Sequence, residues 1–109
     1  MAKSFSEVKK AVKEYVLVLK RKNIRITKII LYGSYARGNA GPYSDIDLVV
    51  VSSDLARFSL LKRQELLSEL TMNIDAPLEV LGYTPQELRK SKHTVFGDIL
   101  RKTGKLISN

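Results

Sequence analysis

Apolar residues recur at helical spacing over residues 5–22. Phe5, Val8, Ala11, Val12, Tyr15, Val16 and Leu19 fall on one face. Ser4 and Glu7 form a capping-box pair at the start, and Lys20-Arg21-Lys22 suits the negative end of the helix dipole. Asn23 ends this helix. The pattern then changes to continuous β-branched and apolar runs, Ile26 to Tyr32 and Ile46 to Val51, which predict two strands. Between them, Ser34 to Arg37 predicts a short helix and Asn39-Ala40-Gly41-Pro42 a loop. The two strands are expected to run antiparallel across this connection.

Ser52-Ser53-Asp54 predicts the cap of a helix over residues 55–71, with Leu55, Phe58, Leu61, Leu66 and Leu70 as core positions. Leu78 to Tyr83 predicts a third strand. Thr84-Pro85-Gln86-Glu87 combines an N-cap, a proline at the first helical position and a capping-box acid, a strong helix start. A break at Lys90 to Lys92 divides the C-terminal helices. The last runs over Thr94 to Thr103, with Gly104 as its stop. This order predicts an α/β (α+β) fold, a small mixed β-sheet with flanking helices, in a single domain over residues 1–109.

Composition narrows the function. No apolar run approaches the ~20 residues that cross a bilayer, and Met1-Ala2-Lys3-Ser4 leads into no apolar signal region, so a cytoplasmic protein without membrane association is expected. The absence of cysteine removes disulfides, thiolate catalysis and cysteine-based zinc sites. The net charge of +8 favours anionic partners, yet the lysines are dispersed and no aromatic stripe offers base stacking. Charge alone does not make nucleic acid the partner.

The chemistry concentrates in residues 33–47. Gly33-Ser34 follows the apolar run ending at Tyr32, and ten residues separate Ser34 from Asp45. Gly33 lets backbone approach a ligand closely, and Ser34 adds a hydroxyl and a backbone N–H at a helix start, a combination suited to phosphate. Asp45 and Asp47 alternate at i, i+2 and so point to one side, where they can share a divalent cation. Asp47 interrupts an apolar run, and a carboxylate there needs a counter-charge. Glu79 interrupts Pro77-Leu78-Glu79-Val80-Leu81 in the same way and is the candidate third acid, able to face Asp47 if the two strands are neighbours. Asp75 is the rival, in a turn-like setting. The three carboxylates would serve metal-assisted in-line displacement at phosphorus, with release of pyrophosphate. Arg37 can contact phosphate or brace the loop, and Ser44 can cap the strand or touch a phosphate. His93 has no companion ligand and reads as a surface residue. Tyr32, Tyr35 and Tyr43 flank the turn, available for base stacking, for self-modification or simply for packing.

Gly33-Ser34, Ala36-Arg37-Gly38 and Ser44-Asp45-Ile46-Asp47-Leu48 together resemble the minimal nucleotidyltransferases, small members of the DNA polymerase β-like superfamily. The resemblance extends to the helix opening Thr84-Pro85-Gln86-Glu87-Leu88. It implies the nucleotidyltransferase fold and transfer of a nucleoside monophosphate, AMP from ATP, with a two-metal Mg²⁺ site held by Asp45, Asp47 and Glu79. It implies triphosphate binding by Gly33 and Ser34, with Arg37 and Ser44 in support. It further implies an antitoxin paired with a helical HEPN toxin, whose tyrosine accepts the nucleotide. Glu79 departs from the aspartate usual at the third position. The chain has no room for the extra helical domain of larger relatives, so a partner or second copy would supply that surface. The alternatives are an antitoxin that acts by occlusion with little catalysis, and transfer to RNA or a small molecule.

Overall fold

The structure, a computed structural model, describes residues 2–107. Helix α1 spans Phe5–Arg21, with the Ser4–Glu7 capping box formed. Strand β1 (Lys28–Tyr32) leads through Gly33 into the four-residue helix α2 (Ser34–Arg37). Strand β2 is Ile46–Val51, helix α3 is Leu60–Thr71 and strand β3 is Leu78–Tyr83. Helices α4 (Pro85–Lys90) and α5 (Val95–Thr103) follow, and β4 (Lys105–Ile107) closes the described chain. The strands form one mixed sheet in the order β3-β2-β1-β4; β1 is antiparallel to β2 and β4, and β2 is parallel to β3.

Alternation along the strands gives the sheet two faces with different cover. Ile29, Leu31, Ile46, Leu48, Val50, Leu78 and Val80 join Val8, Val12, Tyr15 and Leu19 of α1 and Leu67 and Leu70 of α3 in the main core. The Tyr15 hydroxyl donates to the Leu67 carbonyl at 2.7 Å, which ties α1 to α3 and satisfies the one polar atom of a fully buried ring. Burial pushes its pKa far above the usual phenol range. The opposite face is smaller: Val49, Val51 and Leu100, with Ile30, Tyr32, Leu81, Tyr83, Leu88 and Phe96 against them.

Two expectations are corrected. The helix expected over residues 55–71 is two pieces, a 3₁₀ turn at Ser53–Arg57 and α3, because Phe58 is extended and the Ser59 side chain caps α3 by accepting from the Lys62 N–H. This break resets the helical phase. Leu61 turns out to solvent, and Leu67 enters the core instead. Phe5, expected on the buried face of α1, is exposed at the first residue of the helix, its ring under Lys9. The break expected at Lys90 to Lys92 is present as a 3₁₀ turn at Ser91–His93, and His93 is exposed, as expected of a surface residue.

A buried arginine fixes the far end of β3. Arg63 on α3 donates to the Gly82 carbonyl and, through both terminal nitrogens, to the Glu87 carboxylate. Glu87 also accepts the Thr84 N–H, so the capping-box acid serves α4 and the ion pair together. Gly82 is required beside it: a Cβ there would lie 2.4 Å from Leu67 Cδ1.

Candidate active site

Strand register assembles the site. Tyr32 is the last residue of β1 and pairs with Asp47 of β2, which in turn pairs with Glu79 of β3. A single row therefore carries tyrosine, aspartate and glutamate across three strands. By alternation all three project from the smaller face, in line with Ile30, Val49 and Leu81, and Asp45 follows two residues before Asp47. The covering helix leaves this end of the face open. Phe96 of α5 meets Tyr32 edge-on with ring centroids 5.2 Å apart and Tyr83 at 6.4 Å, so the row's tyrosine is packed into the smaller hydrophobic cluster.

The turn from β1 into α2 is built against Asp47. Gly33 has φ +74° and ψ −154°, a conformation that essentially only glycine adopts. A Cβ at this position would sit 2.2 Å from Asp47 Oδ2. The missing side chain is thus the space that the carboxylate occupies. The Gly33 carbonyl accepts from the Ala36 and Arg37 N–H groups, both at 3.1 Å, and starts α2. Gly38, at φ +76°, stops it. The first N–H groups of such a turn have no partner within it. Ser34 is half-buried at the head of α2.

The acids differ in environment. Asp47 is half-buried, whereas Asp45 and Glu79 are exposed. The Asp47 carboxyl is held above its usual range, first by burial and then by the negative charges of Asp45 and Glu79; Arg37 opposes this more weakly. Burial, and next the charges of Asp47 and Glu79, push the Tyr32 phenol up to about 12. The hydroxyl therefore stays protonated beside the acids. Among the described residues no group of three or more His, Cys, Asp or Glu side chains gathers at metal-holding distances. Glu79 beside Asp47 in the row and Asp45 two residues before it both act on Asp47 by charge, and the three carboxylates do not meet at a point.

The donor set still fits a hard divalent cation. The site offers carboxylate oxygens, no sulfur and no imidazole, and its most buried acid is destabilised in its charged form by two neighbours. A cation would relieve that repulsion. Arg37 is exposed at the end of α2, near enough for its charge to favour the Asp47 carboxylate. Ser44 braces its own loop, its Oγ accepting the Gly41 N–H at 2.8 Å, and keeps its O–H free to donate outward. Tyr35 accepts from the Lys3 N–H at 3.0 Å and packs inward, Tyr43 is fully in solvent, and Asp75 lies in an exposed turn away from the row. Phe96 was not singled out by sequence; its signal is the i, i+4 pair with Leu100 on α5.

The chain resembles known proteins in sequence and in fold. A 43-residue stretch is 58% identical to "Putative protein adenylyltransferase MJ0604" of Methanocaldococcus jannaschii, covering 38% of this chain and 43% of that protein. The chain spans less than half the length of the curated relatives it matches. Among solved structures, a toxin–antitoxin with AMP-PNP superposes with a TM-score of 0.62 at 27% identity, over 93% of this chain and 73% of that one. A Sulfolobus solfataricus protein described as a "putative nucleotidyltransferase" gives 0.63 at 21% identity, over 97% and 89%, and supports the fold. The model of the nucleotidyltransferase domain matches residues 6–101, and the chain belongs to that family.

Proposed function

We propose that the domain is a Mg²⁺-dependent adenylyltransferase that moves AMP from ATP to a hydroxyl of a partner protein, as the antitoxin of a toxin–antitoxin pair. The observation that carries this reading is the seat of Asp47. Its carboxylate fills the place of a Gly33 side chain, so the phosphate turn and the acidic row are one structure. The name of MJ0604 and the nucleotide in the toxin–antitoxin neighbour support adenylyl over other transfers.

The residues divide the work. Gly33, Ser34 and the head of α2 receive the triphosphate through backbone N–H groups and the Ser34 hydroxyl. Arg37 adds positive charge beside it. Asp45 and Asp47, with Glu79, would hold Mg²⁺, which when bound neutralises the triphosphate and the attacking and leaving oxygens. Glu79, exposed in the row, would serve as the base that takes the hydroxyl proton. The acceptor oxygen bonds to the α-phosphorus, the bond from that phosphorus to the bridging oxygen breaks, and pyrophosphate leaves. A tyrosine of a helical HEPN-type toxin is the acceptor that the sequence resemblance implies.

One observation favours a second reading, neutralisation by occlusion with little chemistry: the carboxylates do not meet at a point. A single experiment separates the two. The protein is incubated with its partner toxin, Mg²⁺ and ATP labelled at either the α- or the γ-phosphate. Adenylyl transfer labels the partner from α-labelled ATP alone. Neutralised toxin without label means occlusion, and label from γ-labelled ATP means phosphoryl transfer.

A further inference from the structure

The flank of α1 carries a second stripe beside the one that faces the core, and the two share Val16, which packs against the core at its edge. Lys13, Val16, Leu17 and Lys20 follow at i, i+3, i+4 and i+7 and line a groove of about 690 Å³ with Ile24, Arg25 and Ile26. The floor is aliphatic. Ile24 is buried, Val16 and Ile26 are half-buried, and Leu17 keeps 50% of its surface in solvent. The rim is cationic throughout: Lys13 and Lys20 on one bank, Arg25 on the other. Asp54, which accepts the Arg25 N–H at 2.8 Å, is not among the lining residues. The groove lies where the chain enters β1, whereas the acidic row lies where β1 ends at Tyr32. It is therefore open while the site is in use.

We infer that this groove docks an acidic amphipathic helix of a partner protein. Lys13 and Lys20 stand seven residues apart, roughly 10 Å along the helix axis, or two turns. A helix laid along α1 would set apolar residues on Leu17 and Val16 and place carboxylates against the flanking ammonium groups. The charge of the rim selects an acidic partner, in keeping with the net charge of +8. The concave aliphatic floor selects a side-chain surface over a lipid plane. Nucleic acid is disfavoured because no aromatic side chain lines the groove for stacking. The docking is independent of adenylyl transfer: it holds a partner at the end of the sheet remote from the acids.

The test is a titration of the full chain, ¹⁵N-labelled, with a synthetic Glu/Leu peptide whose leucines follow i, i+3, i+4, i+7. A peptide of identical composition with scrambled leucines, a single-stranded RNA 12-mer and phosphatidylserine vesicles are run beside it. The expected result is saturable shifts centred on Val16, Leu17, Ile24 and Ile26, with the scrambled peptide at least tenfold weaker. Leu17→Asp, on the solvent side of α1, and the charge reversal Lys20→Glu should each weaken binding about tenfold. Binding of Mg²⁺-AMP-PNP by these variants should be unchanged, which separates the groove from the active site. Equal binding of the scrambled peptide, tighter binding of RNA or vesicles at these residues, shifts centred elsewhere, or no binding would each overturn the inference.

Discussion

Replacing Gly33 with alanine tests the joint between the β1–α2 turn and Asp47. Two costs arise from the structure. The backbone sits at φ +74°, ψ −154°, where a non-glycine residue costs about 1–3 kcal/mol. The new Cβ would also meet Asp47 Oδ2 at 2.2 Å, so the carboxylate must leave its rotamer, at about 0.5–1.5 kcal/mol. The sum is about 1.5–4.5 kcal/mol, which for a domain of this size lowers Tm by roughly 7–20 °C. A double-mutant cycle with Asp47→Ala divides the two costs. Shortening residue 47 removes the oxygen and leaves its Cβ 3.4 Å from the new methyl, an ordinary contact. The backbone cost should persist and the carboxylate cost should vanish, a coupling of about 0.5–1.5 kcal/mol. Denaturant melts of the four proteins measure it. A loss below about 0.5 kcal/mol in Gly33→Ala, or a penalty unchanged by Asp47→Ala, would refute the claim that the turn and the acid are built together.

Other outcomes follow from the acids and their neighbours. Glu87 is held below its ordinary carboxyl range, chiefly by the hydrogen bond from Arg63 and, against the opposing effect of burial, by the Thr84 N–H. A depressed pKa contributes stability above the ordinary value of 4.5 that is lost as pH falls through the folded value. Glu87→Gln should cost about 1–3 kcal/mol at pH 7, nearer the lower end because the Glu87 side chain is 37% exposed, and the gap in denaturant melts should close in acid. Asp47 has the opposite sign. Its raised pKa favours the fold fully below 3.8, and that contribution is lost as pH rises through the folded value. In chelator, Asp47→Asn should therefore melt higher than the parent at neutral pH, with the difference vanishing in acid. Glu79→Gln should lower turnover far more than AMP-PNP affinity by calorimetry, since the proposed role of Glu79 is on the acceptor hydroxyl. Glu79→Asp should retain transfer.

Much of this was legible in the sequence because local signals and tertiary structure agree. The capping boxes at Ser4 and Thr84 start the helices they announce, and the runs ending at Tyr32 and Val51 form the antiparallel pair that brackets the turn. What was missed depends on distant contacts. Strand β4 has three residues directly after Gly104, too few for a periodic signal, and exists through its pairing with Ile29, Ile30 and Leu31. Ser59 was a readable cap, but the apolar residues on both sides of it mimic one long helix and place Leu61 inside. Arg63 looks like a solvent residue on an amphipathic helix until Glu87, 24 positions on, supplies its partner. At the site, spacing identifies Asp45 and Asp47. The row Tyr32–Asp47–Glu79 requires the parallel register of β2 and β3, which sequence leaves open.

The most direct test of the account compares the parent protein with Asp47→Asn in transfer of label from α-labelled ATP to the partner toxin, with Mg²⁺ and with chelator. Asparagine keeps the shape of the side chain beside Gly33 and removes its charge. The account predicts Mg²⁺-dependent label in the parent and a loss of at least a hundredfold in a variant that is folded and melts no lower. Transfer at the parent rate by Asp47→Asn would contradict it.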